Sequence, residues 1–338
     1  MGLHFCQRQA PQSVETCAAP GGHTRLLRPD KHAQHAVIAG AVGTGKSTAV
    51  RKAILQLEEP KGAVYFLPPT MLFGFSSALA NALGYNRPAG WADRVANFFT
   101  GESKPPPAVA PTTSEPHATW MRLEPCLVKA AARYRAKHGA PPVLVLDAMD
   151  LVAKEDPSFF LEVQDFARRC ADTGILRVVL VVSEGRGLPL LQSLSTDTRA
   201  GVIYEVGDVS DNEATEWLTK NYNLDAARAA ALVDTVAGGR LWMLSNYGAS
   251  SRSVDAISRE LDIQTGVDLL HVGLRPDAPL FRALLSANAI ATGKAHALLP
   301  GAKLQQLLSR NILSAHPDGT YTFHDRHVLR YMVRAGQR

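Results

Sequence analysis

Short apolar runs alternate with longer amphipathic stretches through the first two hundred residues of this 338-residue chain. Ala36 to Ala39, Ala63 to Leu67, Val143 to Leu146, Arg177 to Val182 and Val202 to Val206 are rich in Val, Ile and Leu and show little polar alternation. Runs of this kind predict strands buried on both faces, as in a parallel sheet. Between them Ser47 to Leu57, Met71 to Leu83, Trp91 to Phe99, Trp120 to His138 and Pro157 to Ala171 have helical character, the last with proline in its first turn. The alternation predicts an α/β fold over residues 35–207, a three-layer αβα domain on five parallel strands.

The pattern changes at Asp208. Ser210-Asp211-Asn212-Glu213 has capping-box spacing and opens the first of four helices expected near 211–221, 225–236, 240–248 and 252–263. They would form a helical lid over 208–272. In residues 273–338, three short helical stretches precede Ile312 to Ala315, then Pro317-Asp318-Gly319, then Tyr321-Thr322-Phe323. An Asp-Gly turn between two such runs signals a hairpin. Helices followed by a hairpin predict a C-terminal winged helix. Residues 1–34, with Pro11, Pro20, Gly21, Gly22 and Pro29, predict a loose arm, and 101–116, with Pro105-Pro106-Pro107, a surface loop.

The turn between the first of these strands and its helix reads Gly40-Ala41-Val42-Gly43-Thr44-Gly45-Lys46-Ser47 and fills every fixed position of the phosphate-binding loop, G-x-x-x-x-G-K-[ST]. Glycines let backbone N–H groups close on a polyphosphate, and the helix start adds partial positive charge. Gly40, Gly43, Thr44, Gly45, Lys46, Ser47 and Thr48 are the expected nucleotide-binding residues, with Lys46 reaching the β- and γ-phosphates. The Val143–Leu146 run ends in Asp147, at the C-terminal end of a strand, where ligands bind in open α/β folds. Asp147 and the Ser47 hydroxyl are the expected holders of Mg²⁺. Many ATPases place a glutamate directly after this aspartate to act on the attacking water; here that residue is Ala148. Asp150 is the next carboxylate and the expected base, with slow hydrolysis as the consequence.

Composition adds bounds. An apolar content of 46% and a charged content of 20% describe an ordinary globular chain. No apolar run approaches the ~20 residues of a membrane helix, so no membrane partner is expected. Cys6, Cys17, Cys126 and Cys170 form no CxxC pair and read as free thiols in a reducing compartment. An intracellular, cytoplasmic location is the expectation; the acid-poor N-terminus with Arg8, Arg25 and Arg28 leaves an organellar one open. The net charge of +5 concentrates in residues 301–338, where Lys303, Arg310, Arg326, Arg330, Arg334 and Arg338 face only Asp318 and Asp325. That segment suits either a nucleic-acid partner or a solvated helix face.

Five strands, a helical lid and a winged helix, with the loop at 40–47 and Asp147-Ala148-Met149-Asp150, resemble the AAA+ superfamily, and within it the STAND and archaeal-ATPase-like branch. The resemblance implies ATP as the nucleotide and a homo-oligomer or protein partner. It also implies a γ-phosphate sensor at the end of the fourth strand, Ser183 or the nearby Arg186, and an arginine that reaches a neighbouring subunit's nucleotide, Arg199 by position. In Gly238-Gly239-Arg240 it implies a second sensor on the lid, Arg240. The functions in view are a slow ATPase acting as a nucleotide-dependent switch, a structural nucleotide-binding subunit of a larger assembly such as a mitochondrial ribosome, a winged-helix DNA-binding ATPase and, last, a metabolite kinase, for which no acceptor site is visible.

Overall fold

The computed structural model describes residues 35–57, 62–69, 72–83, 116–183, 187–193 and 202–336, together with the backbone of 14–16. The expected helix over 91–99 lies outside these residues. So do the arm over 1–34, except for that short strand, and the loop over 101–116 up to its last residue. The chain forms two compact units, one of residues 21–38 and 47–204, the other of 1–20, 39–46 and 205–338.

A parallel sheet organises the first unit. Its strands are β2 (Ala36–Ala39), β3 (Ala63–Phe66), β4 (Val143–Leu146), β5 (Arg177–Val181) and β6 (Val202–Glu205), in the order β6-β2-β5-β4-β3; β1 (Val14–Thr16) belongs to the second unit. Register sets Val64 opposite Leu144 and Val145 opposite Val179. Every residue of β2 and β4 is buried, which accounts for their unbroken apolar character. Helices Phe75–Ala82, Pro116–His138 and Pro157–Thr173 contribute an aromatic core, in which Phe75 meets Phe159 and Trp120 meets Phe166 edge to face at 5.2 Å. The helix expected from Trp120 starts a turn earlier and runs through Pro125. A short helix, Met149–Glu155, was not expected; Ala148 opens it in the left-handed conformation, which no local pattern announces.

The second unit is mostly helical. Ser210 and Glu213 cap helix Asp211–Tyr222 reciprocally, as their spacing predicts. Ala226–Leu232 continues into a π-helical turn, Val233–Ala237, followed by Leu241–Gly248. The helix expected near 252–263 spans Val254–Val272, because Leu269 and Val272 are buried in the next core, and Gly273 ends it at φ 67°. One core holds Val209, Leu218, Val236, Leu244 and Ile257; another holds Leu269, Phe281, Leu307, Phe323 and Met332. Around the latter stand helices Pro279–Ala287, Thr292–Leu298, Gly301–Ser309 and Arg326–Gly336. With them is an antiparallel sheet ordered β7 (Ile290–Ala291), β9 (Thr320–Phe323), β8 (Leu313–Ala315). Gly319 turns the β8–β9 hairpin at φ 76°.

The basic C-terminal segment is engaged inside this unit. Arg326 pairs with Asp211 at 2.9 Å, Arg330 with Asp234 at 2.5 Å, Arg334 with Asp262 at 2.6 Å and Arg310 with Asp268 at 2.7 Å. These arginines face acids of the lid helices while staying partly exposed to solvent.

Candidate functional site

The phosphate loop belongs to the second unit and leaves the sheet at Ala39, whose carbonyl accepts from Val206 N–H at 2.8 Å. Gly40, Gly43 and Gly45 all have φ between 84° and 150°. A Cβ on Gly40 would lie 2.2 Å from the Val206 carbonyl oxygen, and one on Gly43 2.8 Å from Trp242 Cβ. The glycines thus supply the left-handed backbone and also the room for the lid helix that begins at Leu241. Thr44 Oγ1 donates to the Ala41 carbonyl at 3.0 Å, which closes the turn. Lys46 is buried, and its Nζ donates to the carbonyls of Gly40 and Ala41, each at 2.8 Å. Its charge is therefore held inside the loop.

Arg240 ties this loop to the lid and to the C-terminal hairpin. Its side chain is 4% exposed. Nε and Nη2 reach the two Asp208 carboxylate oxygens at 2.5 and 3.2 Å, Nη1 donates to the Val42 carbonyl at 2.8 Å, and Nη2 donates to the His324 carbonyl at 2.5 Å. Nη1 also lies 3.1 Å from His324 Nε2. Guanidinium has no acceptor, so Nε2 must accept there, which leaves the imidazole proton on Nδ1, 3.1 Å from Asp325 Oδ2. Burial pushes the Asp325 carboxyl up, but His324 and the Val328 N–H outweigh it and hold it below the usual range. Trp242 N–H donates to the Gly43 carbonyl at 3.0 Å, a second tie between loop and lid.

The acidic residues gather in the first unit. Asp147 is 2% exposed. Its Oδ1 accepts from Ala148 N–H at 2.7 Å and its Oδ2 from the Tyr65 hydroxyl. Burial and that bond to Asp147 push the Tyr65 phenol up to about 12. Arg51 stands over the Tyr65 ring, 5.3 Å from its centre. Ala148 is left-handed at φ 51°, and Asp150 then turns back so that its Oδ2 accepts the Ser183 N–H at 2.5 Å, at the end of β5. Ser47 is half-buried and Thr48 exposed, both in the first turn of helix Lys46–Leu55. The structure brings together Asp150 and Ser183, and separately Arg240 and the loop. Arg186 and Arg199 lie outside the described residues. Tyr65, Asp208 and His324 went unread in the sequence; the one signal was a tyrosine in an otherwise apolar strand, and nothing marked the other two.

Buried parallel sheet, glycine loop at a helix start and buried strand-end aspartate define a P-loop ATPase domain. Residues 28–186 match the family described as the AAA domain, so this part of the chain is an AAA-type P-loop domain. Among solved structures it resembles the Walker-type ATPase PABY2304 of Pyrococcus abyssi, with 16% identity over 92% of this chain and 94% of that one and a TM-score of 0.54. At that identity the likeness is one of fold. Cdc6p of Pyrobaculum aerophilum (13% identity, 90% and 88% covered, TM-score 0.38) and the Aeropyrum pernix Orc1 protein in complex with DNA (14%, 89% and 86%, TM-score 0.35) are more distant in shape. No curated protein matches in sequence. Among the described residues no helix is long and apolar enough to cross a membrane.

Proposed function

We propose that the protein is an ATP-binding conformational switch of the STAND type that hydrolyses its nucleotide slowly. The observation that carries this is Arg240, which bonds at once to the phosphate loop, the lid-side Asp208 and His324 of the C-terminal hairpin. Any change at the loop carbonyls is felt by both elements beyond it. The residues fit a nucleotide: Gly40, Gly43 and Gly45 hold the positive-φ backbone, at 150°, 84° and 95°, that turns a loop's N–H groups onto phosphate, and Lys46 supplies the countercharge. Asp147 and Ser47, an anionic and a neutral oxygen donor, suit Mg²⁺, which when bound neutralises phosphate charge. Asp150 is the proposed base and Ser183 the proposed sensor; the bond between them couples the acid to the end of β5. Arg199 is the proposed contact to a second copy, and Arg240 the lid's reporter of the loop.

A structural nucleotide-binding subunit is the second reading, favoured by Ala148 in the place of a glutamate. Packing of the winged-helix-like region on the lid, through the four arginine–aspartate pairs, supports a switch module more than a nucleic-acid reader. Turnover of ATP by the purified protein separates the first two readings. Multiple turnovers that vanish in Asp150→Asn while ATP still binds support the switch. Nucleotide that co-purifies, identified by mass, without turnover supports the structural part.

A further inference from the structure

We infer that Tyr65 is a positioning residue for Asp147 and sets how tightly the protein holds Mg²⁺ beside its nucleotide; the inference rests on the nucleotide–Mg²⁺ reading above. Tyr65 sits on β3 opposite Val145 of β4, and its side chain reaches along the strand pair to the carboxylate two residues further on. Asp147 is buried, where an ionised carboxylate needs hydrogen-bond donors. It has them at two points. The phenol takes one lone pair of Oδ2 and Ala148 N–H one of Oδ1, so the carboxylate plane cannot swivel. Each oxygen keeps a further lone pair for a cation or its water.

The phenol is itself held. The Arg51 guanidinium lies over its ring at 5.3 Å, and Arg51 is one helical turn beyond Ser47 on the same helix. Tyr65 is thereby in contact with Asp147 on one side and, through Arg51, with the helix that carries Ser47 on the other. A single side chain links the elements that bear both proposed Mg²⁺ ligands. Hydrogen-bond partners behind a ligating carboxylate commonly change metal affinity 10- to 100-fold when removed.

The test is calorimetric titration of ATP into wild type and Tyr65→Phe, in EDTA and across a Mg²⁺ series, with thermal melting of each protein alone. The expected result is a Mg²⁺ half-saturation raised roughly tenfold in Tyr65→Phe, with affinity in EDTA and melting temperature close to wild type. Arg51→Leu, a change at an exposed position, should shift the Mg²⁺ curve the same way by less, and carries the test should Tyr65→Phe not fold. An unchanged Mg²⁺ curve overturns the inference, as does a loss of affinity equal with and without Mg²⁺. A wild type that binds ATP with no response to Mg²⁺ overturns the metal reading itself, and Tyr65's role with it. That outcome is distinct, because it appears in the wild type before any variant is compared.

Discussion

Lys46 and Arg240 are both buried cations that donate to backbone carbonyls of one loop, Gly40 and Ala41 for the first and Val42 for the second. Lys46→Ala should abolish ATP binding at micromolar concentration, since backbone N–H groups cannot by themselves balance triphosphate charge; calorimetry checks it. The glycines allow a finer comparison. Gly43 and Gly139 are both left-handed, at φ 84° and 75°, but a Cβ on Gly43 would sit 2.8 Å from Trp242 Cβ, whereas one on Gly139 meets nothing within 4 Å. Gly139→Ala should cost about 1–2 kcal/mol from backbone conformation alone. Gly43→Ala should cost more, because the lid helix must also move. Equal losses on thermal unfolding would mean that Trp242 gives way freely.

At the scale of elements, helix Pro157–Thr173 shows how local patterns become legible. Proline at its start, Asp156 as its N-cap accepting Phe159 N–H at 3.0 Å, and Gly174 left-handed at its end are all short-range signals. Asp156→Ala should destabilise by about 1 kcal/mol. His117 adds a long-range contact, with Nε2 at 2.8 Å from Asp156 and Nδ1 at 2.8 Å from Glu162. The bonds to Asp156 and Glu162 raise the His117 pKa. Burial pushes Asp156 up, but Ser158, the Phe159 N–H and His117 outweigh it and hold it at about 2. Raised histidine stabilises fully below pH 6.5 and loses that as pH climbs through its folded value; lowered aspartate stabilises above pH 3.8 and loses that as pH falls toward 2. Their joint contribution is greatest between about pH 4 and 6.5. Denaturant unfolding of His117→Gln should therefore lose the decline in stability that wild type shows just above that window. A slope identical to wild type would remove this pair from the account.

Across the whole molecule, arginines act at two depths. Arg326, Arg330 and Arg334 pair with lid acids while 32–49% exposed, so each is worth roughly 0–1 kcal/mol and weakens with salt. Arg240 is 4% exposed, and its loss would leave Val42 and His324 carbonyls without their donor. Arg240→Ala should cost on the order of 3 kcal/mol, insensitive to salt, and speed hydrogen exchange in Leu241–Gly248. If Arg330→Gln proves as costly, burial does not set the worth of these pairs.

The sequence by itself determined the phosphate loop, the aspartate-ended strand, the capping box at Ser210 and the hairpin turn at Gly319. Each is a pattern among neighbours at fixed spacing, where backbone geometry leaves one outcome. The family resemblance also drew attention to Arg240, as an expected sensor. Which atoms Arg240 bonds was decided only by the tertiary structure, because Asp208, Val42 and His324 stand 32, 198 and 84 residues away. The same holds for Tyr65 and Asp147, 82 residues apart, and for the arginines of 326–334, whose partners lie on the lid. The reach of a long side chain is set by how strands register and helices pack, and no spacing along the chain encodes it.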